Sequence, residues 1–131
     1  MSHGSFATAI NCMDGRTQIP IIDYMKKKYG VDYVDMITEP GPIRILAENK
    51  DETMINSIKR RVEVSMIKHG SKYIAIAGHY DCAGNPVDKE RQIKQILDSI
   101  KTVRSWGFKG EIFGLWVDEN WRVHEVKLNK A

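Results

Sequence analysis

Cysteine is scarce in this chain: Cys12 and Cys82 are the two thiols among 131 residues. That excludes a disulfide-stapled scaffold, and a chain of this length can bury a core without staples. Long apolar runs are missing as well. No stretch approaches the ~18 consecutive apolar residues of a membrane-spanning helix. Phe6–Ile10 is too short, and lacks the basic flank, for the core of an export signal. The expectation is a reducing compartment, the cytoplasm by default, and no membrane partner. Charge of one sign is not in excess either, since 20 Lys and Arg against 17 Asp and Glu leave +3. No nucleic-acid partner is expected from so weak a balance. The basic runs Lys26-Lys27-Lys28 and Lys59-Arg60-Arg61 read as solvated helix faces. The chain has no G-x-G-x-x-G loop, no Walker loop and no Cys-x-x-Cys pair. A phosphatase-type cysteine loop would need its arginine several residues further from Cys12 than Arg16 stands. Repeats, linkers and low-complexity stretches are missing too, so residues 1–131 are expected to form one domain.

What is present is an alternation of strand and helix patterns. Phe6–Ile10 is a short, nearly continuous apolar run, as in a strand buried on both faces. A helix is predicted from about Thr17, with Ile19, Ile22, Met25 and Tyr29 as its stripe and Gly30 as its cap. Tyr33–Thr38 reads as a second strand, ended by Glu39-Pro40-Gly41-Pro42. A second helix opens near Asn49, with Glu52 completing a capping box, and buries Met54, Ile55, Ile58, Val62 and Met66 before Gly70. Tyr73–Gly78 is the clearest strand. A third helix from about Asp88 buries Ile93, Ile96, Leu97, Ile100 and Val103 and stops at Gly107. Glu111–Val117 is a fourth strand, and Trp121–Lys127 is expected to return as a fifth, antiparallel one.

Alternating strands and amphipathic helices imply a three-layer α/β/α fold with right-handed crossovers around a parallel four-stranded sheet of order 2-1-3-4. Ligands in such sheets collect beyond the carboxyl ends of strands one and three, where the winding reverses. Two motifs fall there: Cys12-Met13-Asp14-Gly15-Arg16 after strand one, and His79-Tyr80-Asp81-Cys82 after strand three. Cys12, His79 and Cys82 form a three-ligand set for a catalytic zinc with its fourth position open. Zinc can lower the pKa of bound water to about 7, giving hydroxide near neutral pH. Asp14 is spaced to orient that hydroxide as an acceptor, with Arg16 gripping its carboxylate. A broken pair would let Asp14 swing onto the metal.

Plainer readings attach to each residue. The cysteines could be core thiols or a disulfide, His79 a turn cap, and Asp14–Arg16 an ordinary surface pair. Asp81 is expected to cap its turn through backbone hydrogen bonds. His3, His69 and His124 read as surface or half-buried residues, with a proton shuttle among them left open. Phe113, Trp116 and Trp121 read as strand core.

With these residues placed, the chain resembles the β-class carbonic anhydrases, which carry Cys-x-Asp-x-Arg after the first strand and His-x-x-Cys after a later one. The resemblance covers roughly Phe6–Val117. It implies one zinc per chain on Cys12, His79 and Cys82, with Asp14 and Arg16 as a catalytic dyad. It also implies reversible hydration of carbon dioxide to bicarbonate and a proton, by a homodimer or larger assembly. The chain departs from the family at Gly15, where serine is usual, at Ala83, where glycine is usual, and at Thr38–Pro42, where relatives show an Arg-Asn-Ala-like segment. That loop is expected to overlook the metal. Two alternatives stay open: hydrolysis of carbonyl sulfide or carbon disulfide at the same site, and a non-catalytic zinc- or bicarbonate-binding module.

Overall fold

Side-chain size alternates along the central strands and assigns each sheet face its helices. The computed structural model describes residues 4–127, so His3 lies outside the described residues. Along the chain run β1 (Phe6–Cys12), α1 (Gly15–Tyr29), β2 (Tyr33–Glu39), α2 (Pro42–Glu48), α3 (Glu52–Glu63), β3 (Tyr73–His79), α4 (Lys89–Arg104), β4 (Glu111–Val117) and β5 (Val123–Val126). They build one five-stranded sheet of order β2-β1-β3-β4-β5, its first four strands parallel and β5 antiparallel to β4. Ala7, Ala9, Ala75 and Ala77 line one face and pack with Ile21 and Met25 of α1. Ile10, Ile74 and Ile76 line the other, beneath Ile43 and Leu46 of α2, Ile55, Ile58 and Val62 of α3, and Ile96, Ile100 and Val103 of α4. Burial of these branched side chains is the main force holding the layers together. The result is the three-layer α/β/α architecture, with the strand order expected from the sequence.

Several local expectations shift. The stripe of α1 is Thr17, Ile21 and Met25, whereas Ile19 is 69% exposed and Ile22 only half-buried. Three isoleucines within four positions admit two stripes at helical spacing, and contact with the sheet selects between them. The Pro-Gly-Pro segment does end β2, but Pro42 also starts α2, a helix the hydrophobic pattern did not suggest. Proline fits the first helical turn because its fixed φ is already helical and its missing N–H would have had no partner there. Asn49 therefore closes α2 with a left-handed backbone, φ 51°, and Asp51 caps α3 by accepting from the Met54 N–H. Past Glu63 the chain continues as a π-helical turn, Val64–Lys68. That turn inserts the Ser65 hydroxyl between Thr8 Oγ1 and Asp35 Oδ2, each 2.6 Å away. β1 and β3 extend two and one residues further than the apolar runs suggest. Cys12 and His79 are thus the last residues of their strands.

Candidate metal centre

Rigid elements deliver each candidate ligand, and side chains nearby fix the backbone around it. Cys12 ends β1, and the chain turns at once into α1, whose N-cap is Asp14. Gln18 Nε2 donates to the carbonyls of Cys12 and Asp14, both at 2.8 Å, and Thr17 Oγ1 donates to the Asp14 carbonyl at 2.8 Å. His79 ends β3, and the buried Gln92 of α4 grips its backbone from both sides. The Gln92 amide oxygen accepts the His79 N–H at 3.1 Å, and its Nε2 donates to the His79 carbonyl at 2.8 Å. The following turn, with Asp81 at φ 58°, brings Cys82 back beside its partners. Gly41 and Gly84 close this arrangement from the neighbouring loops. A Cβ on Gly84 would sit 2.7 Å from the Pro40 carbonyl carbon, and one on Gly41 would sit 2.7 Å from Asn85 Cβ. Backbone of the Thr38–Pro42 loop thereby reaches Cys12, through the Gly41 N–H.

Cys12, His79 and Cys82 are all buried, and their donor atoms lie within 4.8 Å of one another. The sulfurs are 3.8 Å apart, far beyond the ~2.05 Å of a disulfide. Two ~2.3 Å zinc–sulfur bonds at a tetrahedral angle span about 3.8 Å. His79 Nδ1 lies 2.7 Å from the Tyr80 carbonyl, which can only accept, so Nδ1 carries hydrogen and Nε2 faces the thiols. Nε2 is buried with no partner in good hydrogen-bond geometry, its strongest electrostatic neighbour being the Cys12 sulfur. A buried orphan acceptor costs free energy unless something occupies it, and a cation would. The donor set therefore fits a thiophilic divalent metal such as zinc.

The electrostatics agree. Hydrogen bonding from Cys82 draws the Cys12 thiol well below its ordinary range against the effect of burial, with His79 and the Gly41 and Asp14 N–H groups assisting. The Cys82 thiol is pushed up by the Cys12 sulfur and by burial. Burial opposes charge on His79, but Cys12, the Tyr80 carbonyl and Asp14 outweigh it and raise its pKa. Two coupled thiols and the His79 imidazole thus share one buried corner beside the Asp14–Arg16 pair, a setting that favours a cation between the sulfurs.

Asp14 and Arg16 stand at the rim. Arg16 donates from Nε to Oδ1 at 3.1 Å and from Nη2 to Oδ2 at 2.7 Å, and its backbone N–H reaches Oδ1 at 2.9 Å. This fork, opposed only by partial burial, holds the Asp14 carboxyl down at about 2. Asp14 Oδ2 lies 4.0 Å from His79 Nε2. Asp81 joins the same guanidinium, through its carboxylate at 3.4 Å and its carbonyl at 3.1 Å, in place of the turn-capping role expected of it. Trp121 lies in the β4–β5 turn, outside any strand, with its ring centroid 4.5 Å from the Arg16 guanidinium carbon. Of the other histidines described, His69 pairs with Asp35 and His124 with Asp118, both part-exposed and apart from the cluster.

Sequence reasoning missed Gln18, Gln92 and Trp121. Gln92 left a trace: it sits four residues before Ile96 on the buried stripe of α4, where a polar side chain needs a buried partner. Gln18 and Trp121 left none, because their partners are defined only by the folded loops.

No helix among the described residues is long and apolar enough to cross a membrane. Comparison with curated proteins gave no match. Among solved structures, the chain is similar to a β-carbonic anhydrase isoform from Trichomonas vaginalis, at 18% identity and TM-score 0.59, covering 91% of this chain and 81% of that one. It is similar also to the tetrameric β-carbonic anhydrases of Sordaria macrospora, at 17% identity and TM-score 0.61, covering 100% and 84%. A carbon disulfide hydrolase shares the fold at 14% identity and TM-score 0.50, covering 96% and 81%. The family described as "Putative carbonic anhydrase" matches residues 2–127, and the chain belongs to it.

Proposed function

We propose that this chain holds one zinc ion on Cys12, His79 and Cys82 and catalyses the reversible hydration of carbon dioxide to bicarbonate and a proton. The observation that carries this reading is the buried, unpartnered His79 Nε2 facing two thiols 3.8 Å apart, with the Asp14–Arg16 fork beside them. Zinc bound there would act as a Lewis acid that ionises water near neutral pH. The residues of the chain do the rest. Asp14, kept ionised by Arg16, can accept a hydrogen bond but not donate one. Water beside it must therefore point hydrogen at Oδ2 and leave a lone pair free for the carbon of the substrate. The Gln92 and Gln18 contacts keep His79 and Cys12 from shifting as charge develops.

The test is stopped-flow carbon dioxide hydration by zinc-loaded protein beside an Asp14→Asn variant. The parent is expected to be active, with turnover rising with pH. The variant should retain zinc while turnover falls by about a hundredfold or more, the scale of a lost proton-handling group. Equal rates would remove Asp14 from the chemistry.

The fold shared with a carbon disulfide hydrolase supports a second reading, hydrolysis of carbon disulfide or carbonyl sulfide at this centre. Sulfide release by loaded protein that does not hydrate carbon dioxide would select it. A homodimer or larger assembly is part of the proposal. It is supported by Tyr33 on the outer strand β2 and by Val64 and Ile67 beyond α3, which are 46–67% exposed. Light scattering of the purified protein tests it.

A further inference from the structure

The β4–β5 turn carries a residue that its own backbone does not favour. Trp121 has φ 61°, in the left-handed region where bulky side chains are rare and glycine or asparagine is at home. The indole packs against the apolar cluster between α1 and the sheet, while Asp118 fixes the backbone of this turn through hydrogen bonds. Its carboxylate accepts the N–H groups of Asn120 at 2.8 Å and Arg122 at 3.0 Å, and its backbone bonds Arg122 and Trp121 at 2.9 Å each. An aromatic held in an unfavourable backbone conformation points to a use for the ring. The ring lies 4.5 Å from the guanidinium carbon of Arg16.

Arg16 needs such support. Its side chain is 46% exposed, and an exposed ion pair by itself holds two side chains together only weakly. A free arginine samples many rotamers and would release Asp14 Oδ2, leaving the carboxylate tethered only through Oδ1 to the Arg16 backbone N–H. Three separate segments meet on this one guanidinium: Asp14 at the start of α1, Asp81 in the turn after β3, and Trp121 in the hairpin. Asp14 and Asp81 accept from its N–H groups, and its central carbon lies over the Trp121 ring, which attracts a cation.

We propose that Trp121 is a positioning residue: with the guanidinium of Arg16 lying over its ring and Asp14 and Asp81 on the N–H groups, the indole fixes the guanidinium and hence the direction of the Asp14 carboxylate. The C-terminal hairpin thereby completes a centre whose other parts come from β1 and β3. This inference rests on the catalytic reading of Asp14, but its first readout needs neither zinc nor turnover.

The experiment records the Arg16 Nε–Hε resonance by NMR in the metal-free and zinc-loaded parent, in Trp121→Asn and in Trp121→Tyr. Asparagine suits the left-handed turn and removes the ring, whereas tyrosine keeps an aromatic face. In the parent, Hε should exchange slowly with water and show nuclear Overhauser contacts to the Trp121 ring. In Trp121→Asn, exchange should quicken and kcat should fall, each by about tenfold, the scale of a cation–ring contact, with zinc content and KM unchanged. Trp121→Tyr should restore both to within about twofold. Absence of the ring contacts in the folded parent overturns the proposal, whatever the variants do. So does Trp121→Asn with parental Hε exchange, or with released Arg16 and undiminished kcat. Should Arg16 loosen as expected while even the loaded parent hydrates no carbon dioxide, the positioning stands and the assigned activity falls.

Discussion

A histidine that spends Nδ1 on a backbone carbonyl has one nitrogen left to offer, and in this protein that nitrogen faces two sulfurs. The Tyr80 carbonyl thus does more than hold a turn, since it selects which atom of His79 meets the cluster. Cys12 and Cys82 titrate as a pair: Gly41 and Asp14 N–H groups favour the thiolate on Cys12, Asn85 and Gly84 do so on Cys82, and with one ionised the other keeps its proton until a cation displaces it. Metal binding should therefore release protons. In Cys82→Ser, zinc content should drop from one per chain to a small fraction, as read by elemental analysis after gel filtration. The zinc-dependent rise in Tm expected of the parent should vanish with it, because a ligand stabilises only the state it binds. Retention of a full zinc equivalent by that variant would show that Cys82 is not a ligand.

At the scale of elements, the site depends on how closely α4 and α2 approach β3. Gly78 permits that approach. A Cβ there would meet Gln92 Oε1 at 2.9 Å, Ile43 Cδ1 at 3.0 Å and Ile96 Cδ1 at 3.1 Å. α4 in turn fastens α2, with Ser99 Oγ donating to the Ile43 carbonyl at 3.0 Å and Thr102 Oγ1 to that of Leu46 at 2.8 Å. Two polar residues on a buried helix face thus satisfy the carbonyls of a helix only seven residues long. Gly78→Ala should cost about 1–3 kcal/mol in urea unfolding, as overpacking does, and should weaken zinc binding by moving Gln92 off the His79 backbone. A loss of stability with unchanged zinc affinity would separate the two helices from the site.

For the whole molecule, titration sets the limits of stability. Asp118 is held down at about 2 by His124 and by the N–H groups of Arg122 and Asn120, and Asp14 at about 2 by Arg16, against an ordinary 3.8. Both folded-state values lie below the unfolded ones. Their contribution is therefore complete above about pH 4 and is lost as pH falls toward 2. Tyr29 runs the other way. Burial against Tyr73 and Phe113 lifts its phenol to about 12 from 10.0, so stability should fall as pH rises from 10 to 12. Urea unfolding across pH should show stability lost on the acid side below about pH 4 and again on the alkaline side above about pH 10. Asp118→Asn keeps an amide oxygen for the turn and should flatten the acid limb; an unchanged acid slope would mean that this pair does not couple to folding.

Much of this protein was legible in one dimension. Strand order, layer count and the meeting of Cys12 with His79 and Cys82 follow from periodicity and from the rule that parallel strands join by right-handed crossovers. Helical spacing could not choose between Ile19 and Ile21, since both repeats suit a helix and only contact with the sheet breaks the tie. Pro42 was legible as a break, yet the helix it starts is held by hydroxyl donors on α4, Ser99 on the Ile43 carbonyl and Thr102 on that of Leu46, each pair 56 residues apart. Sequence by itself determined the donors and the crevice that gathers them, because those depend on residue type and on chain topology. Tertiary structure alone decided what holds the donors still: Gln92 on His79, Gln18 on Cys12, Asp81 and Trp121 on Arg16. Such contacts join segments far apart in the chain through side-chain directions, and those directions exist only once the core has packed.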